Sequence, residues 1–112
     1  MEGSLAGHGI EVSRTGEATV TGTTIRRCQS GLLMNCKATV GKGCSISACV
    51  YAGIDAWKND GGPGEVTVEE DVDRVCEGNN TCNSEDHGNY LVAGGGTITG
   101  VAEEKILRWQ LE

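Results

Sequence analysis

Three glycine–aliphatic pairs, Gly9-Ile10, Gly31-Leu32 and Gly53-Ile54, recur at intervals of 22 residues. Regular spacing of this length restricts a chain more than any single motif. A repeat of about 20–50 residues marks a supersecondary unit that can bury its apolar side only by stacking on its neighbour. A second series runs Ile25-x-x-Cys28, Ile46-x-x-Cys49, Val72-x-x-Val75 and Ile98-x-x-Val101, with starts 21, 26 and 26 residues apart. A third runs Ala18-Thr19-Val20, Ala38-Thr39-Val40 and Val66-Thr67-Val68, with Tyr90-Leu91-Val92 as its fourth member. Each repeat therefore predicts three short strands: one near A-T-V, one near I-x-x-C and one led by Gly-Ile or Gly-Leu.

Three short strands per turn of chain, separated by Gly, Asn and Ser, describe a three-sided solenoid. Stacking the coils about 4.8 Å apart pairs the backbone groups that each coil leaves open above and below. Equivalent inward side chains then lie on one another as columns. The predicted fold is all-β: a right-handed parallel β-helix solenoid of about four short coils, residues 1–112 forming one domain or a segment of a longer solenoid. Composition agrees, with 18 glycines, no phenylalanine, two tyrosines and two tryptophans. Thin layers of Val, Ile, Leu, Ala and Cys suit closely stacked coils better than a globular core built on large aromatics. Apart from the last ten residues, no window sustains helical apolar spacing. That last stretch, Val101 to Leu111, reads as a short amphipathic helix or a final strand, and either would cap the open end of the stack.

Differences in coil length place two loops, 55–64 (DAWKNDGGPG) and 77–89 (EGNNTCNSEDHGN). Insertions in a solenoid emerge on its flanks, where binding residues commonly lie. A net charge of −7 argues against nucleic acid and against anionic membranes, because both need clustered Lys and Arg. The apolar runs are too short to span a bilayer. The first eight residues show no basic stretch followed by an apolar one, so no secretory leader is read there. No feature assigns a compartment. The six cysteines, Cys28, Cys36, Cys44, Cys49, Cys76 and Cys82, suit three disulfides in a secreted protein. The repeat instead places several of them inward as small hydrophobes.

The repeated G-I, A-T-V, I-x-x-C pattern, from about Gly7 to Val101, resembles the parallel β-helix repeats of the pectate-lyase-like superfamily. That resemblance implies the fold. For activity it implies a range, from polysaccharide lyases and glycosidases to non-enzymatic modules. Gly7-His8-Gly9-Ile10 is similar to the G-H-G-[IV] segment of polygalacturonases, which makes His8 the candidate catalytic residue by resemblance. The N-T-D, D-D and R-I-K segments that accompany it in those enzymes have no counterpart here.

Residue type and spacing point to other chemistry as well. Glu69, Asp71 and Asp73 alternate onto one face of a strand and are the candidate metal ligands, with Ca²⁺ as the cofactor that oxygen ligands would take. Arg74 points away from that face. Cys76, Cys82 and His87 with Glu85 and Asp86 are a softer candidate, though the cysteine spacing is longer than in most zinc sites. Asn79-Asn80-Thr81 is a formal glycosylation acceptor. Thr19-Val20-Thr21 and Thr97-Ile98-Thr99 raise an ice-binding surface, but their registers differ.

Two functions from different classes remain. The favoured one is a non-catalytic β-helix module, a scaffold or a recognition surface for protein or carbohydrate, with Trp57, Asp55, Asp60 and Tyr51 as binding residues. The alternative is a carbohydrate-active enzyme or a fragment of one. Open solenoid ends also predict a homodimer by coil-on-coil pairing.

Overall fold

The computed structural model describes residues 9–12, 17–57, 64–69, 75–83, 88–93 and 95–109. Among these are twelve strands: β1 (Ile10–Val12), β2 (Glu17–Val20), β3 (Thr24–Arg26), β4 (Ser30–Met34), β5 (Lys37–Val40), β6 (Ser45–Ser47), β7 (Ala52–Trp57), β8 (Glu65–Val68), β9 (Cys76–Glu77), β10 (Gly88–Ala93), β11 (Thr97–Thr99) and β12 (Ile106–Trp109). A 3-10 turn, Glu103–Lys105, lies between the last two. All the strand pairs are parallel and fall into three sheets, ordered β1-β4-β7-β10-β12, β2-β5-β8-β11 and β3-β6-β9. The chain visits the sheets in rotation, so each circuit is one coil of a parallel β-solenoid. Three circuits are complete. The fourth has β10 and β11 but runs through the 3-10 turn where a third-sheet strand would lie, and β12 opens a fifth.

The columns follow from the register. In the first sheet, Ile10, Leu32, Ile54, Tyr90 and Ile106 stack in line. In the second, Ala18, Ala38, Val66 and Ile98 do so. In the third, the column is Ile25, Ile46 and Cys76. Apart from Ile10 and Ala18, which are partly buried, these residues are buried in a single core cluster. Fully burying each Ile or Leu contributes roughly 1.5–3 kcal/mol.

Two register readings need correction. Tyr90-Leu91-Val92 does not continue the A-T-V column: Tyr90 stands on Ile54 in the first sheet, and Ile98 takes the A-T-V place. Ile98 therefore does not belong with Ile25 and Ile46, whose third-coil partner is Cys76; Val72 lies outside the described residues. Equal steps of 26 residues between I-x-x-C-like segments are a coincidence of loop length. The steps in the first sheet run from Ile54 to Tyr90 and then only from Tyr90 to Ile106, because a long excursion lengthens one coil and a missing strand shortens the next. The C-terminal stretch resolves as a strand, not a helix. Its exposed Arg108 donates a 2.7 Å hydrogen bond to Glu103.

Glycine at the corner has a steric cause. A Cβ on Gly9 would lie 2.7 Å from Ile25 Cγ2, and one on Gly31 would collide with Ile46 Cγ2. A Cβ on Gly53 would meet Cys76 Sγ and Asn79 Nδ2, each at 2.7 Å. The glycine thus makes room both for the third-sheet side chain of its own coil and for the backbone carbonyl of the next, Gly31 O, Gly53 O and Asn89 O in turn. In the fourth coil that strand is absent, and the equivalent position in β10 is Asn89. The size change at Cys76, where Ile stood in the coils below, is matched by Tyr90 in the coil above, whose side chain hydrogen-bonds the Cys76 thiol.

Candidate functional site

Strands β4 and β7 lie side by side with Leu33 opposite Asp55 and Met34 opposite Ala56. Alternation sends Leu32, Met34, Ile54 and Ala56 to the core, so Leu33 and Asp55 face outward. Continuing the register by one residue puts Asn35 beside Trp57 on the same outer face. These four residues line a depression of about 260 Å³. Two outward pairs on neighbouring coils therefore supply an aliphatic side chain, an amide, a carboxyl and an indole to one concavity.

Asp55 is the unusual member. It is only 8% exposed, and its Oδ1 accepts no hydrogen bond. Burial pushes its carboxyl up to about 7, and no described residue offers a hydrogen bond or opposite charge to offset it. Its neighbours in the column, Leu33 on β4 and Leu91 on β10, are aliphatic. Leu91 is 2% exposed although it lies outside the core cluster. An outward column that is largely apolar around one carboxyl is unlike the solvated outer face expected of a coil.

Of the four candidate binding residues, therefore, Asp55 and Trp57 come together. Tyr51 does not join them. It precedes β7 at the opposite end from Trp57, where its backbone N–H donates to Gln29 O at 2.8 Å. Asp60 lies outside the described residues, as do His8, Asp71, Asp73, Arg74, Glu85, Asp86 and His87. Glu69 is exposed just after β8 on the second sheet, away from the depression. Leu33 and Asn35 were missed, yet they stand 22 residues before Asp55 and Trp57. The repeat interval carried them all along.

A second depression, about 280 Å³, lies on the outer face of the second sheet and includes Lys37, Glu65, Thr67, Thr97 and Thr99. Thr19, Thr39, Thr67 and Thr99 form one complete column, and Thr99 Oγ1 hydrogen-bonds Thr67 Oγ1 at 3.2 Å. The neighbouring column is Glu17, Lys37, Glu65 and Thr97. The two Thr-x-Thr tripeptides are indeed out of register, and the flat double array needed for ice is replaced by a charged one. Its charged members are exposed, so this face meets solvent.

All six cysteines are free thiols, five buried and Cys82 exposed. Cys28 and Cys49 hold the same corner of successive coils, each thiol directed at the carbonyl two residues earlier, Arg26 O and Ser47 O. Cys76 belongs to the core and Cys82 to the surface, so they form neither a disulfide nor a shared metal site. Among the described residues no three His, Cys, Asp or Glu side chains converge.

The glycosylation reading also needs revision. Asn79 Nδ2 donates to Ile46 O at 3.0 Å and to Asn89 Oδ1 at 2.9 Å. Its Oδ1 accepts from Cys49 N–H at 3.0 Å. The amide is used up in closing a coil corner, so Asn79 is a structural residue in the folded chain.

No protein-family profile matches the chain, and neither a curated protein nor a solved structure resembles it significantly.

Proposed function

We propose that the chain is a non-catalytic β-solenoid module of the pectate-lyase-like kind that recognises carbohydrate at the Leu33–Asn35–Asp55–Trp57 depression. The observation that carries this reading is the convergence of Trp57 with two polar side chains, Asp55 and Asn35, on one outer face. Sugar rings present an apolar C–H face that packs on an indole, and hydroxyls at the ring edge that need fixed polar partners. The rigid pairing of β4 with β7 holds those partners at constant spacing. Affinity then depends little on loop ordering.

A carbohydrate-active enzyme is the second reading, favoured by the Asp55 carboxyl near 7, a value suited to a general acid. Hydrolysis by paired carboxylates needs a partner about 5–9.5 Å away. Among the described residues the depression is lined by one carboxyl alone.

The test is a titration of the intact chain with neutral, acidic and amino sugars, followed by tryptophan fluorescence and by nuclear magnetic resonance. Saturable binding that Trp57→Ala abolishes while the fold persists supports the reading. Binding unaffected by Trp57→Ala, or release of reducing ends from a polysaccharide, overturns it.

A further inference from the structure

The Asp55 carboxyl is a buried acid without a counter-charge among the described residues. Across β4 it faces Leu33 and Asn35, and across β10 Leu91 and Ala93, none of them ionisable. One strand further out, its column holds Glu11 on β1 and Leu107 on β12. The described cations lie elsewhere. Lys37 and Lys42 belong to the second sheet and its corner, and Arg26 and Arg27 to the third. Lys105 and Arg108 end the stack, Arg108 paired with Glu103. Burying a carboxylate without a cation or hydrogen-bond donors is costly, and among the described residues only protonation of Asp55 itself, below about 7, relieves that cost.

We propose that this depression binds an ammonium group, and that the carbohydrate recognised there is therefore an amino sugar with its nitrogen free and protonated. The inference rests on the carbohydrate reading above and narrows it. An ammonium brings both missing elements, a positive charge and N–H donors for the unpartnered Oδ1. The indole of Trp57 lines the same concavity, and an aromatic face attracts a cation as well as a sugar ring. A net charge of −7 raises the local concentration of cations around the whole molecule. A neutral sugar would pack on the indole but leave the carboxyl uncompensated, and a uronic acid would add a like charge. A volume of about 260 Å³ is small for a ligand pocket and fits one ring.

A proton and an ammonium compete for the same carboxyl. Because burial places Asp55 near 7, a ligand whose charge is permanent binds more tightly as pH rises from 6 to 8 and levels off above. No other titratable side chain among the described residues faces Asp55 from β4 or β10, so this slope belongs to it.

The experiment titrates the intact chain and its Asp55→Asn variant with glucosamine, N-acetylglucosamine, glucose and tetramethylammonium, at pH 6 and pH 8. The expected result is glucosamine bound at least about tenfold more tightly than the two neutral sugars, as a desolvated ion pair with stacking implies. Tetramethylammonium gains roughly up to tenfold between the two pH values. Asp55→Asn removes both preferences, so that the three sugars bind alike and tetramethylammonium shows no pH dependence. Equal binding of all three sugars, unchanged in Asp55→Asn, overturns the ammonium inference and leaves the carbohydrate reading standing. Tetramethylammonium bound with no sugar bound overturns the amino-sugar proposal and the carbohydrate reading together, and silence from every probe does the same.

Discussion

Leu33 of β4 and Asp55 of β7 are direct partners in parallel register, which places a carboxyl whose Oδ1 has no hydrogen-bond partner between the aliphatic Leu33 and Leu91 on the outside of the coil. This one contact has consequences for stability as well as for binding.

The native state holds the Asp55 proton up to about 7, whereas an unfolded aspartate releases it near 3.8. The folded chain therefore binds more protons between these values, and its stability falls as pH rises through that window. The full effect above pH 7 is roughly 4 kcal/mol at about 1.4 kcal/mol per pH unit. Asp55→Asn abolishes the titration, so it raises the urea midpoint at pH 8 by far more than at pH 4. Denaturant melts at several pH values measure this. Parallel curves for the two proteins would show that Asp55 is solvated.

Arg27, Ala48 and Gly78 hold the corner after the third-sheet strand in successive coils, with φ of 59°, 56° and 62°. The left-handed backbone strains a residue with a Cβ by roughly 1–2 kcal/mol. Ala48→Gly is expected to stabilise the fold by about 1 kcal/mol, after allowing for the greater freedom of glycine in the unfolded chain. Thermal melts read the change directly.

Gly31→Ala drives a methyl into Ile46 Cγ2 and to 2.7 Å from Gly53 O. Overpacking of this kind costs about 1–3 kcal/mol, and more where backbone must move. A Cβ on Gly88 would meet nothing within 4 Å, so Gly88→Ala is neutral or slightly stabilising. Comparing the two variants by chemical denaturation separates crowding from any general intolerance of β10 and β4 to alanine.

The thiols differ in exposure. Burial pushes the Cys36 and Cys49 thiols up, and Cys76 to about 12, so their thiolates are scarce. Cys82 alone is exposed. A brief native reaction with iodoacetamide, read by mass spectrometry, is expected to add one label, at Cys82, and all six only after denaturation.

Among the described residues each sheet ends in strands paired on one side: β1 and β12, β2 and β11, β3 and β9. We propose end-to-end association through these edges. Light scattering is expected to give a dimer at high concentration that reductant does not dissociate. A monomer at all concentrations would refute it.

The parts of the fold that were legible are those where side-chain volume must repeat. Gly9, Gly31 and Gly53 announce the coils because Ile25, Ile46 and Cys76 fill the space beside them. Register beyond Gly64 was not legible from period alone. Beyond the minimum that a parallel crossover needs, loops can lengthen without disturbing the pairing, so the step from Ile54 to Tyr90 follows no interval set by the earlier coils. Thr97-Ile98-Thr99 has the same outward–inward–outward form in either of two sheets, and only pairing with Glu65, Val66 and Thr67 decides between them. In the depression, Asp55 and Trp57 were found by residue type. Leu33 and Asn35 were not, because a leucine and an asparagine have no chemical signature until a neighbouring coil gives them a place.

The corner glycine and the residue that fills its space belong to the same coil: Gly9 with Ile25, Gly31 with Ile46, Gly53 with Cys76 and Asn79. The backbone carbonyl of the next coil closes the other side, Gly31 O on Gly9, Gly53 O on Gly31 and Asn89 O on Gly53, so each coil carries the side-chain half of the fit and its neighbour the backbone half. Duplicating or deleting the stretch from one corner glycine to the next would keep each glycine with the side chain that fills its space. The fourth coil has neither the third-sheet strand nor the glycine, with Asn89 standing where Gly53 stands in the coil below. Among homologues of this chain, the number of coils should therefore change in whole steps, and the glycine should vanish only where its partner strand has gone.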